Sequence, residues 1–275
     1  MSRRTVFFVS ERTGVTAETL GRSVLTQFDE PHGFESLTVP FTDTVDKVDA
    51  LVRRIDAVAG EQGLRPIVFS TLVREDLRAR LLPVDALVLD CLAPFLQALE
   101  GELERPALPV SARSHGLKDT GVHDRRMAAV HYALDCDDGA GSSGYAAAEV
   151  ILIGVSRVGK TPACLYLALT YGVFAANHPL TEDELESGTL PKVLEAHRAK
   201  LCGLTIAPER LQQMRRERRP TGCYATAGQV GFELRSAEAL FRRYHLPTVD
   251  VTACSVEEIA SMILAARGME RHAVR

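Results

Sequence analysis

The stretch EVILIGVSRVGKTPA, residues 149–163, decides the fold of the second half of the chain. It opens with an apolar run that is typical of a central parallel strand, and it continues into residues of helical character from position 163 onward. Between the two, residues 154–161 match the pattern G-x-x-x-x-G-K-[ST] at every specified position. Because a strand enters the turn and a helix leaves it, backbone N–H groups and the helix N-terminus are expected to converge on an anion. The stretch therefore predicts a phosphate-binding loop.

Each specified residue of this loop has an expected role in holding a nucleotide. Gly154 and Gly159 allow the backbone conformations of the turn, Lys160 would reach the terminal phosphate, and the Thr161 hydroxyl would hold Mg²⁺. The pattern predicts phosphate binding but does not identify the group that accepts the transferred phosphate, so it fits both ATPases and kinases. The absence of the guanine-reading motif N/T-K-x-D argues against a GTPase. The predicted nucleotide-binding residues are Gly154, Val155, Ser156, Arg157, Val158, Gly159, Lys160 and Thr161.

A second, acidic ligand for Mg²⁺ is expected at the end of another strand. Asp250 in TVDV and Asp90 in ALVLD are the candidates. The common alternative for each is a structural role as a strand-end or helix-cap aspartate.

The composition indicates a globular protein of the cytoplasm. The 275 residues are 46% hydrophobic and 25% charged, which suits two modest domains. A net charge of −4 gives no global attraction to nucleic acid or to an anionic membrane. No stretch approaches the ~20 apolar residues of a membrane span, and the start of the chain lacks a signal-peptide core. The six cysteines form no C-x-x-C pair, so we expect them to be reduced thiols in the cytoplasm. From the charge and the lack of an apolar span, we expect neither nucleic-acid nor membrane partners.

Short apolar runs alternate with amphipathic segments along the chain, which predicts an α/β fold. We expect an N-terminal doubly wound parallel-sheet domain, residues 1–143, and a C-terminal P-loop kinase-like domain, residues 144–275, with the active site between them. The boundary is placed in the flexible composition GAGSSG, residues 139–144. Strands are predicted at 5–10, 36–41, 66–70, 86–90, 149–153, 174–176, 201–206 and 248–251. Helices are predicted at 16–28, 44–59, 73–82, 93–102, 124–134, 163–171, 208–219, 237–244 and 256–267.

Several motifs together resemble one family along nearly the whole chain. GVSRVGKTP, residues 154–162, is similar to the regulatory proteins of phosphoenolpyruvate synthase and of pyruvate, phosphate dikinase. Segments that resemble the family's other signatures are TGVTAETLG (13–21), SHGL (114–117), DDG (137–139), GLTIAPERL (203–211) and SVEEIA (255–260).

The resemblance implies a bifunctional serine/threonine kinase and phosphorylase. Such an enzyme phosphorylates a threonine of the dikinase with ADP as donor, which inactivates it, and removes that phosphate by attack of inorganic phosphate, which releases pyrophosphate. ADP, inorganic phosphate and Mg²⁺ are the implied cofactors, and a homodimer is plausible. The form of the N-terminal motif favours phosphoenolpyruvate synthase (pyruvate, water dikinase) as the target, with pyruvate, phosphate dikinase as the alternative. Two alternative functions remain: an ordinary ATP-dependent kinase or ATPase, and a non-catalytic regulator that senses ADP.

The resemblance adds candidate catalytic residues outside the loop. Asp137 and Asp138 are adjacent carboxylates, one of which could take the proton from the acceptor hydroxyl, although a solvated helix end has the same pattern. His115 in SHGL could orient a phosphate or act as an acid. The sequence departs from the family where Glu11 replaces an aspartate and where Cys136 stands in place of a histidine. The basic run Arg215, Arg216, Arg218 and Arg219 could steer an acidic partner or a phosphate, but such a run is usually a solvated face.

Overall fold

The chain contains two units, described by a computed structural model that covers residues 3–29, 33–108, 120–139, 142–218 and 223–269. The contacts place Met1–Gly116 in one unit and Leu117–Arg275 in the other. This division comes earlier than the predicted boundary after residue 143. The reason is the helix Thr120–Asp135, whose buried Ala129 and Ala133 belong to the hydrophobic core of the second unit.

The first unit is built on a four-stranded parallel sheet. Its strands are β1 (Arg4–Val9), β2 (Phe34–Val39), β3 (Ile67–Ser70) and β4 (Leu87–Asp90), in the order β2-β1-β3-β4. Its helices are α1 (Val15–Leu25), α2 (Val45–Gln62), α3 (Glu75–Leu81) and α4 (Ala93–Leu103).

The two faces of this sheet hold separate apolar cores, because successive side chains of a strand point to opposite faces. Phe7 and Val9 of β1 belong to a cluster with Val48 of α2 and Leu77 of α3. Val6 and Phe8 lie on the other face in a cluster with Ala17 of α1. The strand order places β1 inside the sheet, and helices pack against both of its faces, which fits an α/β fold.

The second unit has its own four-stranded parallel sheet. Its strands are β5 (Val150–Gly154), β6 (Ala175–Pro179), β7 (Leu201–Thr205) and β8 (Thr248–Asp250), in the order β6-β5-β7-β8. Its helices are α5 (Thr120–Asp135), α6 (Lys160–Tyr171), α7 (Glu182–Ser187), α8 (Lys192–Glu195), α9 (Pro208–Arg218), α10 (Ala227–Arg243) and α11 (Val256–Ala266).

The central position of β5 follows from its composition. Every residue of this strand is buried, as its apolar sequence predicts. Parallel strands end at one edge of a sheet, so the turn after β5 begins beside the ends of β6 and β7. Among the described residues, no helix is long and apolar enough to cross a membrane.

Candidate functional site

The turn between β5 and α6 is held in one conformation by close contacts. A Cβ on Gly154 would lie 2.7 Å from the carbonyl oxygen of Leu204 in β7, so only glycine fits there. Gly159 precedes α6 with φ of 85°, a left-handed conformation that glycine adopts without steric cost. Arg157 also lies in the left-handed region, with φ of 78°, which costs a non-glycine residue about 1–3 kcal/mol. Such a conformation persists only where the surroundings impose it, and no sequence pattern predicted it here.

Lys160 is the first residue of α6 and its side chain is folded against the turn. It is 5% exposed, and Nζ donates hydrogen bonds to the carbonyl oxygens of Gly154 at 3.0 Å and Val155 at 2.9 Å. Burial lowers the pKa of Lys160 to about 8, although the nearby Asp138 and Asp137 carboxylates act in the opposite direction. The turn therefore holds a desolvated ammonium group whose charge is sensitive to its surroundings.

This lowered pKa predicts proton uptake when a diphosphate such as ADP binds in alkaline solution. At about pH 9 much of the free protein has a neutral Lys160, whereas an adjacent phosphate favours the ammonium form, so binding should take up part of a proton. The affinity should accordingly fall as the pH rises above about 8, and the uptake should shrink toward neutral pH. Calorimetric titration in two buffers of different ionisation enthalpy measures the uptake. Equal heats in both buffers at alkaline pH would contradict this prediction.

The turn Asp137–Gly139 after α5 brings the first of the two adjacent carboxylates against Thr161. Asp137 Oδ1 accepts a hydrogen bond from Thr161 Oγ1 at 2.8 Å and another from Asn177 Nδ2. Asn177 lies on β6 and is fully buried. A hydroxyl and a carboxylate oxygen at hydrogen-bond distance are hard donors of the kind that Mg²⁺ prefers together with phosphate oxygens and water. The residues present therefore fit a magnesium site.

Asp138 is separated from Asp137 by the backbone conformation of the same turn. Its φ of 49° and ψ of 34° are left-handed, and its backbone N–H donates to Asn177 Oδ1 at 3.1 Å. Its side chain is exposed, and no hydrogen bond or ion pair joins its carboxylate to another residue within the described part of the chain. Asn177 thus positions both aspartates while leaving the Asp138 carboxylate available to a ligand.

Asn177→Ala should weaken both the fold and the magnesium dependence of any activity. The change removes the acceptor of the Asp138 backbone N–H and one of the two donors to Asp137 Oδ1. The free energy of unfolding should therefore fall by about 2 kcal/mol. Because Asp137 is then less firmly placed beside Thr161, more Mg²⁺ should be needed for half-maximal activity. Urea unfolding and a magnesium titration measure the two effects, with the exposed Gln213→Ala as control. An unchanged magnesium requirement would show that Asn177 does not position the ligand.

The two other candidate magnesium ligands have structural partners. Asp90 accepts hydrogen bonds from the N–H group of Leu92 at 2.9 Å and pairs with Arg78 at 2.9 Å. Asp250 accepts from the N–H group of Thr252 at 2.9 Å. Each closes the turn after its strand, and the structure brings Asp137 rather than either of them to Thr161.

The two residues that depart from the family pattern are both buried. The Glu11 carboxylate is buried and accepts hydrogen bonds from the N–H groups of Val73 at 2.8 Å and Arg74 at 2.9 Å, just before α3. The Cys136 thiol is buried, and a Cβ on Gly144 would approach its sulfur to 2.7 Å. His115 and Arg219, the remaining candidates, lie outside the described residues.

The loop and the two aspartates line one cavity of about 420 Å³. Its residues are Asp137, Asp138, Ser156, Arg157, Gly159, Lys160, Thr161, Pro162, Met214 and Arg218. The described residues that line this cavity all belong to the second unit, and they include the glycine loop, a buried lysine and the acidic turn.

Sequence reasoning did not identify Asn177, and it named Arg215 only as one member of a basic run. Asn177 follows two alanines in β6 and precedes His178, and buried polar side chains of this kind usually make hydrogen bonds. Arg215 is fully buried, whereas both interpretations of its basic run, steering of a partner or phosphate and a solvated face, place it at the surface. Its spacing of four from the buried Leu211 was the available signal, because such residues share one helix face.

Fold and site together define an α/β protein in which a glycine loop and a buried lysine lie beside paired carboxylates. The Kinase/pyrophosphorylase family model matches residues 6–264, and the chain belongs to this family. Relatives named phosphoenolpyruvate synthase regulatory protein come from Alkalilimnicola ehrlichii (48% identical), Halorhodospira halophila (49%) and Ectopseudomonas mendocina (47%). In each case the alignment covers 98% of this chain and 98% of the relative.

Proposed function

We propose that the chain is an ADP-dependent serine/threonine kinase and a phosphate-dependent phosphorylase that regulates phosphoenolpyruvate synthase. The family description, a kinase/pyrophosphorylase, supports phosphotransfer in both directions, and the names of the relatives support phosphoenolpyruvate synthase as the regulated enzyme. The observation that carries the proposal is the contact of Asp137 with Thr161 beside the buried Lys160, because it joins the acidic turn to the loop in a single site.

The loop would bind the phosphates of ADP as a P-loop. Its backbone N–H groups and the N-terminus of α6 supply donors and a positive potential, and Lys160 supplies a charge. Thr161 and Asp137 would hold Mg²⁺, which supplies neutralisation of phosphate charge when bound. Lys160 would exchange its bonds to the carbonyl oxygens of Gly154 and Val155 for bonds to phosphate.

In the kinase direction, the threonine hydroxyl of the target attacks the β-phosphorus of ADP. The new bond joins the threonine oxygen to phosphorus, the bond to the bridging oxygen breaks, and AMP leaves with that oxygen. Asp138 takes the hydroxyl proton, since its carboxylate is exposed and lines the same cavity as Lys160. Lys160 stabilises the negative charge on the transferred group.

In the phosphorylase direction, an oxygen of inorganic phosphate attacks the phosphorus of phosphothreonine. The bond between phosphorus and the threonine oxygen breaks and pyrophosphate forms, while Asp138 takes the proton of the attacking phosphate and passes it to the threonine oxygen. The same acid–base group and the same cationic groups then serve both directions, so a single site suffices for the two activities.

The experiment that tests this function uses β-labelled ADP and purified dikinases. The protein is incubated with phosphoenolpyruvate synthase or with pyruvate, phosphate dikinase, and labelled phosphothreonine is sought on each. Label on the synthase alone supports the proposal in full, and label on the other dikinase alone moves the same chemistry to that target. If a parallel incubation with labelled ATP transfers the label in the absence of either dikinase, the protein is an ordinary ATP-dependent kinase or ATPase. ADP binding that changes partner affinity, with no phosphothreonine, would indicate a non-catalytic regulator.

A further inference from the structure

Arg215 of α9 is the most buried cation of the described residues and it lies directly behind the glycine loop. Its side chain has no exposed area, and its guanidinium makes hydrogen bonds to three different elements. Nη2 donates to the carbonyl oxygen of Ser156 at 3.1 Å and to Glu233 Oε2 at 2.6 Å. Nη1 donates to the carbonyl oxygen of Tyr224 at 3.0 Å and to Glu233 Oε1 at 3.1 Å.

The orientation of this guanidinium is fixed on several sides. The Glu233 carboxylate of α10 binds both of its terminal nitrogens, and the side chain of Glu233 is only 12% exposed. The Tyr224 ring stacks on it, with 4.4 Å between the guanidinium carbon and the ring centroid. A paired contact of this kind sets direction as well as distance, which a lysine cannot reproduce.

Ser156 is held from two directions by this group of residues. Its carbonyl oxygen is bound by Arg215, and its side-chain oxygen lies 2.9 Å from the Tyr224 hydroxyl oxygen. In a trans peptide the C=O and the following N–H point in opposite directions. Holding the Ser156 carbonyl therefore turns the N–H of Arg157 away from the guanidinium, and Arg157 is the residue whose left-handed backbone the surroundings must impose.

We propose that Arg215 is a positioning residue that fixes the Ser156–Arg157 peptide so that its N–H is available to the β-phosphate of ADP. The inference rests on the proposed function in its choice of ligand. Arg215 does not touch the cavity: its neighbours Met214 and Arg218 line it, and Arg215 acts from behind through the Ser156 carbonyl. Tyr224 and Glu233 hold Arg215 in the orientation that this role requires.

The test compares ADP with AMP, because only the contribution of the β-phosphate should depend on Arg215. Arg215→Gln removes the paired donors and should reduce the preference for ADP over AMP by about tenfold in calorimetric titrations of the folded protein. Arg215→Lys, which keeps the charge without the paired geometry, should restore only part of it. Tyr224→Phe removes the hydroxyl contact to Ser156 but keeps the ring, and should reduce the preference by about threefold. Arg210→Gln, an exposed change on the same helix, is the matched control.

Each outcome separates this inference from the proposed function. If wild-type protein does not bind ADP, both the proposed function and the inference fail. If it does bind ADP, and Arg215→Gln lowers the unfolding midpoint while the ADP to AMP preference stays within about twofold of wild type, the role is structural and the inference alone fails. Should Arg215→Gln not fold, the Tyr224→Phe result decides: an unchanged preference overturns the inference, and the reduced preference supports it.

Discussion

Lys160→Met is expected to reduce kcat/KM about a thousandfold in both directions of the reaction without lowering the stability of the protein. The loss of activity follows because a fixed cation in a dry site stabilises developing phosphate charge by an amount typical of a preorganised donor. Stability should not fall, because burial depresses the pKa of Lys160 to about 8, so the folded state disfavours the charge that it holds at neutral pH.

The stability part of this prediction has a definite pH dependence. Since the pKa of Lys160 in the folded protein lies below the ordinary lysine value of 10.5, the wild-type protein loses this penalty as the pH rises from about 8 toward 10.5. The gain in stability of Lys160→Met over the wild-type protein should therefore be full below about pH 8 and shrink above it. Thermal midpoints across this range measure the effect, with the exposed Lys192→Met as control. A variant that loses stability at neutral pH would show that the bonds to Gly154 and Val155 outweigh the cost of burial.

Asp138→Asn is expected to reduce threonine phosphorylation by about 10²–10⁴-fold while ADP affinity changes only a few-fold. The amide cannot take the hydroxyl proton, but it keeps the size of the side chain, and the backbone bond to Asn177 is untouched. The phosphorylase direction should fall by a similar factor, since the same group must protonate the threonine oxygen. Asp137→Asn should behave differently, because it removes a carboxylate beside Thr161 and should raise the magnesium requirement.

Asp135→Asn is the matched control for both variants. Asp135 is exposed at the end of α5, two positions before the acidic turn, and it does not line the cavity. Rates for labelled phosphate transfer from ADP in each variant, at saturating and limiting magnesium, separate the two roles. Full kinase activity in Asp138→Asn would move the base to another residue and remove Asp138 from the mechanism.

Most helices and strands could be predicted closely, because the buried face of each element determines the spacing of its apolar residues. β3 and β7 begin within one residue of the predicted positions, and the buried residues of α2, namely Val48, Leu51, Ile55 and Ala59, recur at spacings of three and four. The start of α10 was predicted ten residues late, at position 237. Gly228 and Gly231 weaken the helical signal there, but Thr226 caps the helix and Val230 and Leu234 are buried. The short helices α7 and α8 were missed, since fewer than two turns give no readable period.

The candidate site was predictable where its residues are adjacent in the chain and not where distant segments meet. The loop and Lys160 form a local pattern, and so does the acidic pair. The Asp137 carboxylate that contacts Thr161 is also bound by Asn177 of β6, and the buried Arg215 is paired with Glu233 of α10. A single sequence carries no direct signal for such pairings, so Asp90 and Asp250 were equally reasonable ligands for Mg²⁺ until the fold was known.

The order in which the site is assembled has a consequence for synthesis. Ser156 is held by Arg215, which lies 59 positions later, and Arg215 is in turn held by Glu233. A ribosome therefore completes the whole glycine motif long before it makes the groups that hold it in shape. Nascent chains and degradation fragments that end before Glu233 contain the motif but not its support, so only chains that extend past Glu233 should hold the loop in its folded conformation.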